Sequence, residues 1–271
     1  MQSVVLALLE HPQSAIPTLA ASSIVAGLIG HARVNALAIR ISPQSTIMPT
    51  EEILTTRMAA LIRAEEAARV DELHRLFNEW QASMPHPVDA AWTEIEGYAD
   101  ALTGEWGRRS DYLVLNQLEC HDHIPFRLIR HAALFDTGRP VLVVPPDFNG
   151  GFGECVAIAW RDDARTQRAV LDALRLLAKV KQVHVLAGKR DHAPAPVLPE
   201  VFAEHGIDAQ LHILRITGEV FGQTLLDACH LLGADMLVMG AFTHNRWYDL
   251  ILGGVTKYML AHSDLPVLMR H

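Results

Sequence analysis

Asp235-Met-Leu-Val-Met-Gly240-Ala-Phe-Thr-His-Asn-Arg-Trp-Tyr-Asp-Leu-Ile-Leu-Gly253-Gly254-Val-Thr256-Lys-Tyr-Met-Leu-Ala-His-Ser-Asp-Leu-Pro266-Val-Leu-Met-Arg-His271 contains every step of a repeating α/β unit. Met236–Met239 is a short apolar run closed by Gly240. A polar crossing leads to Gly253 and Gly254, a helical pattern begins at Val255 and stops before Pro266, and Val267–Met269 is a second apolar run. Strand, loop, helix, strand is the βαβ grammar of a parallel sheet. Gly240 is expected to let the backbone turn sharply at the strand's carboxyl end. Gly253 and Gly254 stand just before a helix, where unpaired N–H groups and the helix dipole favour an anion. Thr256 adds a hydroxyl in the first turn.

With those residues in view, the stretch resembles the universal stress protein family. That family's pattern is Gly, two residues, Gly, nine residues, Gly, then Ser or Thr, wrapping the phosphates of a nucleotide. Gly240 fits the first glycine and Gly253 the third, with nine residues, His244 to Leu252, before it. Thr243 replaces the second glycine, and Gly254 stands where Ser or Thr is usual, with Thr256 two residues on. The resemblance implies open parallel-sheet α/β units, Rossmann-like and similar to the adenine nucleotide alpha hydrolases. It also implies a stress-response role, an adenine nucleotide such as ATP or AMP as ligand, and no metal beyond nucleotide-associated Mg.

Outward from this stretch, the chain repeats itself. Asp111-Tyr112-Leu113-Val114-Leu115 parallels Asp235-Met236-Leu237-Val238-Met239, and Gly138-Arg139-Pro140-Val141-Leu142 parallels Asp264-Leu265-Pro266-Val267-Leu268. Ile95-Glu96-Gly97 parallels Ile216-Thr217-Gly218. The expected architecture is two tandem open parallel-sheet domains of five strands each, 1–146 and 154–271. Pro145–Gly153 is rich in Pro and Gly, and 147–153 reads as an exposed linker without a core residue. It lacks a Walker lysine and the GxGxxG spacing, so it is not read as a phosphate loop. The resemblance implies a family dimer fused into one chain; a further homodimer stays open.

In the first half, Ser3–Leu9 reads as a buried strand, Pro17–Ile29 as a helix and Val34–Ile41 as a strand. A long helix then runs from about Glu51 to Ala82 with Thr50 as N-cap, its apolar stripe including Leu54, Met58, Leu61, Leu73, Phe77 and Trp80. In the second half Cys155–Trp160 is a strand, Asp163 caps the following helix, and Gly233 stops the helix through Leu225 and Cys229. The uncharged run Pro12–Gly30 has no basic flank and carries Pro17, Ser22 and Ser23, so it is read as buried protein, not a membrane span.

The chain of 271 residues is half hydrophobic with a net charge of −8, a globular composition. A nucleic-acid backbone would call for a basic face, so nucleic acid is not an expected partner. Cys120, Cys155 and Cys229 form no spaced framework, which points to a reducing, cytoplasmic compartment.

An open α/β sheet binds ligands beyond the carboxyl ends of its strands, where the strand order switches. In the resembling family an Asp at the end of the first strand holds the ribose; here Arg161 stands there, followed by Asp162 and Asp163, and Glu10 matches it in the first half. The candidate nucleotide residues are therefore Trp160, Arg161, Gly240, Ala241, Thr243, His244, Gly253, Gly254, Val255 and Thr256, all in the second half. The corresponding loop of the first half, from Asn116, has no glycine before Gly138, so the first site is expected to be degenerate. Trp160 and Trp247 are placed to flank a base or simply to pack. Cys120-His121-Asp122-His123 contains zinc-ligand types but no second spaced pair, so surface polarity is the preferred reading. No GxSxG and no Cys–His pairing marks a catalytic set. Three functional readings stay open: nucleotide sensing without catalysis, protein interaction without nucleotide, and slow ATP hydrolysis.

Overall fold

The structure is a computed structural model that describes residues 2–45, 55–86, 88–117, 124–216, 221–241 and 254–271. It divides into two units, Met1–Asn149 and Gly150–His271. The first unit runs β1 (Ser3–Leu8), α1 (Pro12–Ile29), β2 (Ala32–Ile41), α2 (Thr56–Ser83), β3 (Ala90–Gly97), α3 (Ala99–Arg108), β4 (Tyr112–Asn116), α4 (Ile124–Phe135) and β5 (Val141–Val144). The second runs β6 (Cys155–Trp160), α5 (Ala164–Leu177), β7 (Gln182–Lys189), α6 (Glu200–Glu204), β8 (Ala209–Arg215), α7 (Phe221–Leu231), β9 (Met236–Gly240), α8 (Gly254–His262) and β10 (Val267–Arg270).

All pairings within a unit are parallel, in the order β3-β2-β1-β4-β5 and, correspondingly, β8-β7-β6-β9-β10. The switch in order falls between β1 and β4 in one unit and between β6 and β9 in the other. The central strands read as near-continuous apolar runs because helices cover both faces. Val5, Leu6, Leu113 and Val114 are buried at the centre of the first unit, and Val156, Ile158, Leu237 and Val238 at the centre of the second.

The parallel sequences perform parallel work. Asp111 accepts from the Val4 N–H through Oδ2 at 2.8 Å, and its own N–H donates to the Val4 carbonyl. Asp235 accepts from the N–H groups of Gly153, Glu154 and Cys155 at 2.8, 2.9 and 3.1 Å, and its N–H donates to the Cys155 carbonyl. In both units an aspartate just before the fourth strand ties down the entry of the first. Asp163 caps α5 as expected, accepting from the N–H groups of Arg165 and Thr166. Gly233 ends α7 with φ of +66°, a conformation that glycine adopts without strain.

Several boundaries differ from the sequence reading. Helix α1 starts at Pro12, so Pro17 lies inside it. The hydroxyls of this helix bond back within it: Thr18 Oγ1 to the Ser14 carbonyl at 2.9 Å and Ser22 Oγ to the Thr18 carbonyl at 2.7 Å. That is how buried Ser14, Thr18 and Ser22 are accommodated in a core-facing helix. Its length and mean hydropathy of 1.2 would suit a membrane span, but it packs on β1, β2 and α2. Helix α2 begins at Thr56 and is capped by Thr55, extended at φ −70°, ψ 152°, with its side chain accepting from the Met58 N–H. Thr50 and Leu54 lie outside the described residues. Met58 and Leu61 are exposed, so the buried stripe of α2 is Ala59, Val70, Leu73, Phe77 and Trp80. Phe152, placed in the linker from sequence, is buried. The Pro/Gly stretch hides its one aromatic anchor near the entry of β6.

Charged acceptors holding several buried amides contribute more than single bonds. Asp235→Ala should therefore destabilise the protein by about 3 kcal/mol and Asp111→Ala by about half that. Urea unfolding followed by circular dichroism measures both. Equal losses would show that the three amide contacts of Asp235 do not act together.

Candidate functional site

The two switch points share one strand order and differ in their side chains. In the first unit the space is filled by the protein's own charges. Glu10, just beyond β1, and Arg130, on α4, are 2% and 3% exposed. Arg130 Nη2 lies 3.1 Å from Glu10 Oε2, and its Nη1 donates to the Asn116 carbonyl at 2.6 Å. Arg69 reaches in from α2, donating to the Glu10 carbonyl and the Ile39 carbonyl, each at 2.6 Å. Glu66 holds Arg69 at 2.7 Å and accepts from the Ile41 N–H at 2.8 Å. The Arg69 guanidinium also lies 5.3 Å from the Phe126 ring centre. Two guanidinium groups thus satisfy carbonyls at three strand ends, and phosphates have no glycine-lined cradle there.

In the second unit two of the corresponding positions carry small side chains, whereas the position of Glu10 is taken by Arg161. The aspartate pairs set Asn116 against Gly240, and the proline pairs set Arg130 against Thr256. Thr256 is buried, Val255 half-buried and Gly254 exposed, and among the described residues a Cβ added to Gly254 would meet nothing within 4 Å. Ala241 is buried and donates its N–H to the Arg270 carbonyl at 2.8 Å. Thr243, His244, Trp247 and Gly253 lie outside the described residues, as do Cys120, His121 and His123. Among the described residues no cluster of three or more His, Cys, Asp or Glu is arranged to hold a metal.

Gly240 acts differently from the sequence expectation. It is not among the positive-φ glycines. A Cβ there would stand 2.9 Å from the Thr166 nitrogen and 3.1 Å from the Arg165 carbonyl carbon, so the glycine permits the first turn of α5 to close on β9. Close approach, not a sharp turn, requires it. Arg161 is exposed, its Nε 3.5 Å from Asp163 Oδ2, and Asp163 is engaged as the α5 cap. Asp162 is exposed and accepts from Gln167 Nε2 at 3.3 Å. Trp160 is half-buried at the end of β6.

A model of the universal stress protein family matches residues 158–271. That segment belongs to the universal stress protein family. The match runs from within β6 to the end of β10, so the universal stress domain includes this switch point. No curated protein matches the chain. In structure, the whole chain is similar to a universal stress protein from Archaeoglobus fulgidus DSM 4304, with a TM-score of 0.68 at 14% identity, covering 98% of this chain and 95% of that one. A protein of Pseudomonas aeruginosa UCBPP-PA14 classed among universal stress proteins is similar at a TM-score of 0.59 and 15% identity, covering 99% and 93%. A functionally unknown protein from Pseudomonas aeruginosa PAO1 gives 0.57 at 15%, covering 99% and 92%. At such identities the likeness establishes the fold of the universal stress architecture across the chain.

Two features escaped the sequence reading. Glu10 and Arg130 are 120 residues apart, and no local pattern announces their pairing. His184 and His212, on β7 and β8, meet with Nδ1 and Nε2 3.1 Å apart; His184 is buried. Burial, and then the neighbouring His212, hold the His184 pKa below its ordinary value.

Removing one member of a buried ion pair exposes the other to the full desolvation penalty. Arg130→Met should cost about 3–5 kcal/mol, and adding Glu10→Leu should recover much of it. Unfolding free energies of the single and double variants test this coupling, and additive losses would refute it.

The His184 shift has a defined sign. A folded pKa below about 6.5 means that the unfolded chain binds the proton first as pH falls. The stabilisation from neutral His184 is therefore complete above about pH 6.5 and declines below it. Urea midpoints between about pH 7.5 and 5 should fall in wild type and fall less in His184→Phe.

Proposed function

We propose that this chain is a cytoplasmic stress-response protein whose second unit binds one adenine nucleotide without catalysing its turnover. The observation that carries this reading is the contrast between the switch points. The first is filled by Glu10 and Arg130, whereas the second has Gly240 and Thr256 at the positions of Asn116 and Arg130, and a Cβ built on Gly254 meets nothing within 4 Å among the described residues. The remaining residues fit such a ligand. Backbone N–H groups around Gly254 and Val255 are suited to an anion, and Gly253 and Thr243 complete the pattern in sequence. Arg161 stands in place of the ribose-binding acid, so the sugar contact is expected to differ from that of the resembling family. Mg would accompany the phosphates.

A second reading has a specific observation in its favour. Gly240 is needed for the packing of α5 whether or not a ligand is present. A nucleotide-free protein acting through a protein partner would keep it.

Titration calorimetry with ATP, ADP and adenosine separates these readings. Nucleotide binding predicts one site per chain. Gly254→Val, placed where a side chain meets nothing within 4 Å among the described residues, should leave folding intact. It should weaken binding at least about tenfold, or roughly 1.4 kcal/mol. A folded Gly254→Val protein that binds as wild type, or two sites per chain, would remove this site. No binding by wild type would favour the interaction reading, and ATP turnover above a protein-free control would favour hydrolysis.

A further inference from the structure

Between β7 and β8 the chain reads Pro194-Ala195-Pro196-Val197-Leu198-Pro199, preceded by Ala193, with no polar side chain in the stretch. Backbone chemistry fixes nearly all of it. Proline holds φ near −65°, and the residue before a proline is driven to extended or polyproline II geometry, which covers Ala193, Ala195 and Leu198. Only Val197 is free of both rules. Pro199, at φ −63° and ψ 135°, has polyproline II geometry. Residues 194–199 belong to no helix or strand, and among the described residues no backbone hydrogen bond joins 194–198 to the rest of the unit.

Burial shows the same geometry. A polyproline II helix has three residues per turn. Ala193, Pro196 and Pro199 are half-buried, whereas Pro194, Ala195, Val197 and Leu198 are all exposed. One edge of the helix therefore rests on the second unit. The other two face outward, one carrying Pro194 and Val197, the other Ala195 and Leu198. Val197 is 78% exposed and Leu198 39%. A connection that served only as a spacer would have no use for these side chains in water. In the first unit the corresponding connection carries α2, which buries Val70, Leu73, Phe77 and Trp80. In the second, α6 has five residues and buries Phe202, and the apolar stretch before it stays outside.

We propose that the outward edges of 194–198 dock a partner protein through an aromatic-lined groove of the kind that reads polyproline II helices. The backbone decides against other modes. A strand-adding partner needs N–H groups that Pro194 and Pro196 lack, and a groove for an α-helix needs a conformation that three prolines forbid. Aromatic rings stacked on proline and aliphatic faces remain, and the segment is already ordered for them, so little entropy is lost on docking. The surface is separate from the nucleotide reading and does not depend on it.

The test is titration calorimetry of the full chain against isolated SH3 and WW domains, which carry such grooves. At least one should bind at one site per chain, and Val197→Asp should weaken it at least about tenfold. Pro194→Gly, which loosens the helix, should weaken it as well. Leu231→Asp, on α7 at a leucine that is 88% exposed, should leave binding unchanged. Circular dichroism should show all three variants folded as wild type. No binding to either domain type, binding that survives Val197→Asp, or an equal loss in Leu231→Asp would overturn the proposal. Self-association of the chain that Val197→Asp abolishes would overturn it in favour of a second copy.

Discussion

A parallel sheet presents backbone carbonyls at the carboxyl ends of its strands, and buried carbonyls need donors. Each unit answers that need differently at its switch point. In the first, Arg130 and Arg69 donate to the carbonyls of Asn116, Ile39 and Glu10. In the second, β9 continues past Gly240 so that Ala241 donates to Arg270, and α5 closes directly on the strand. Side chains cover the first edge; backbone and small residues cover the second.

Filling the first edge with charge has a further consequence. Buried Glu10 and Arg130 are favourable only because each supplies the other's charge and the surrounding carbonyls take up guanidinium protons. A ligand phosphate entering this point would have to displace a carboxylate already held by Arg130 and supported by the Arg69–Glu66 pair. Two copies of one α/β plan thus differ at this point: the first carries buried Glu10 and Arg130, the second Gly240 and Thr256 at the positions of Asn116 and Arg130.

Much of the fold was legible because it is written locally. The Cys155–Trp160 strand, the Asp163 cap and the Gly233 stop each follow from a few adjacent residues, and the tandem repeat follows from matched short motifs. The misses share a cause: tertiary contacts overrode a local signal. Pro17 suggests a helix start, yet tertiary packing tolerates it inside α1 and the helix begins at Pro12. Phe152 sits in a Pro/Gly stretch whose composition says linker, but its side chain is buried. Thr55 accepts the helix-start bond of α2 at a position that the sequence pattern places inside the helix. The Glu10–Arg130 and His184–His212 pairs depend on register between distant elements, which a single sequence does not display.

The candidate site shows why residue type and residue purpose must be separated. Gly240 fits a phosphate-loop pattern, but an added Cβ would collide with backbone of α5, so packing alone is sufficient to require glycine there. A glycine pattern preserved by packing is weak testimony about a ligand. Gly254 is different, because no described atom lies within 4 Å of where its side chain would be. Of the two described glycines of the pattern, Gly254 therefore has no packing contact among the described residues that would explain it, whereas α5 explains Gly240.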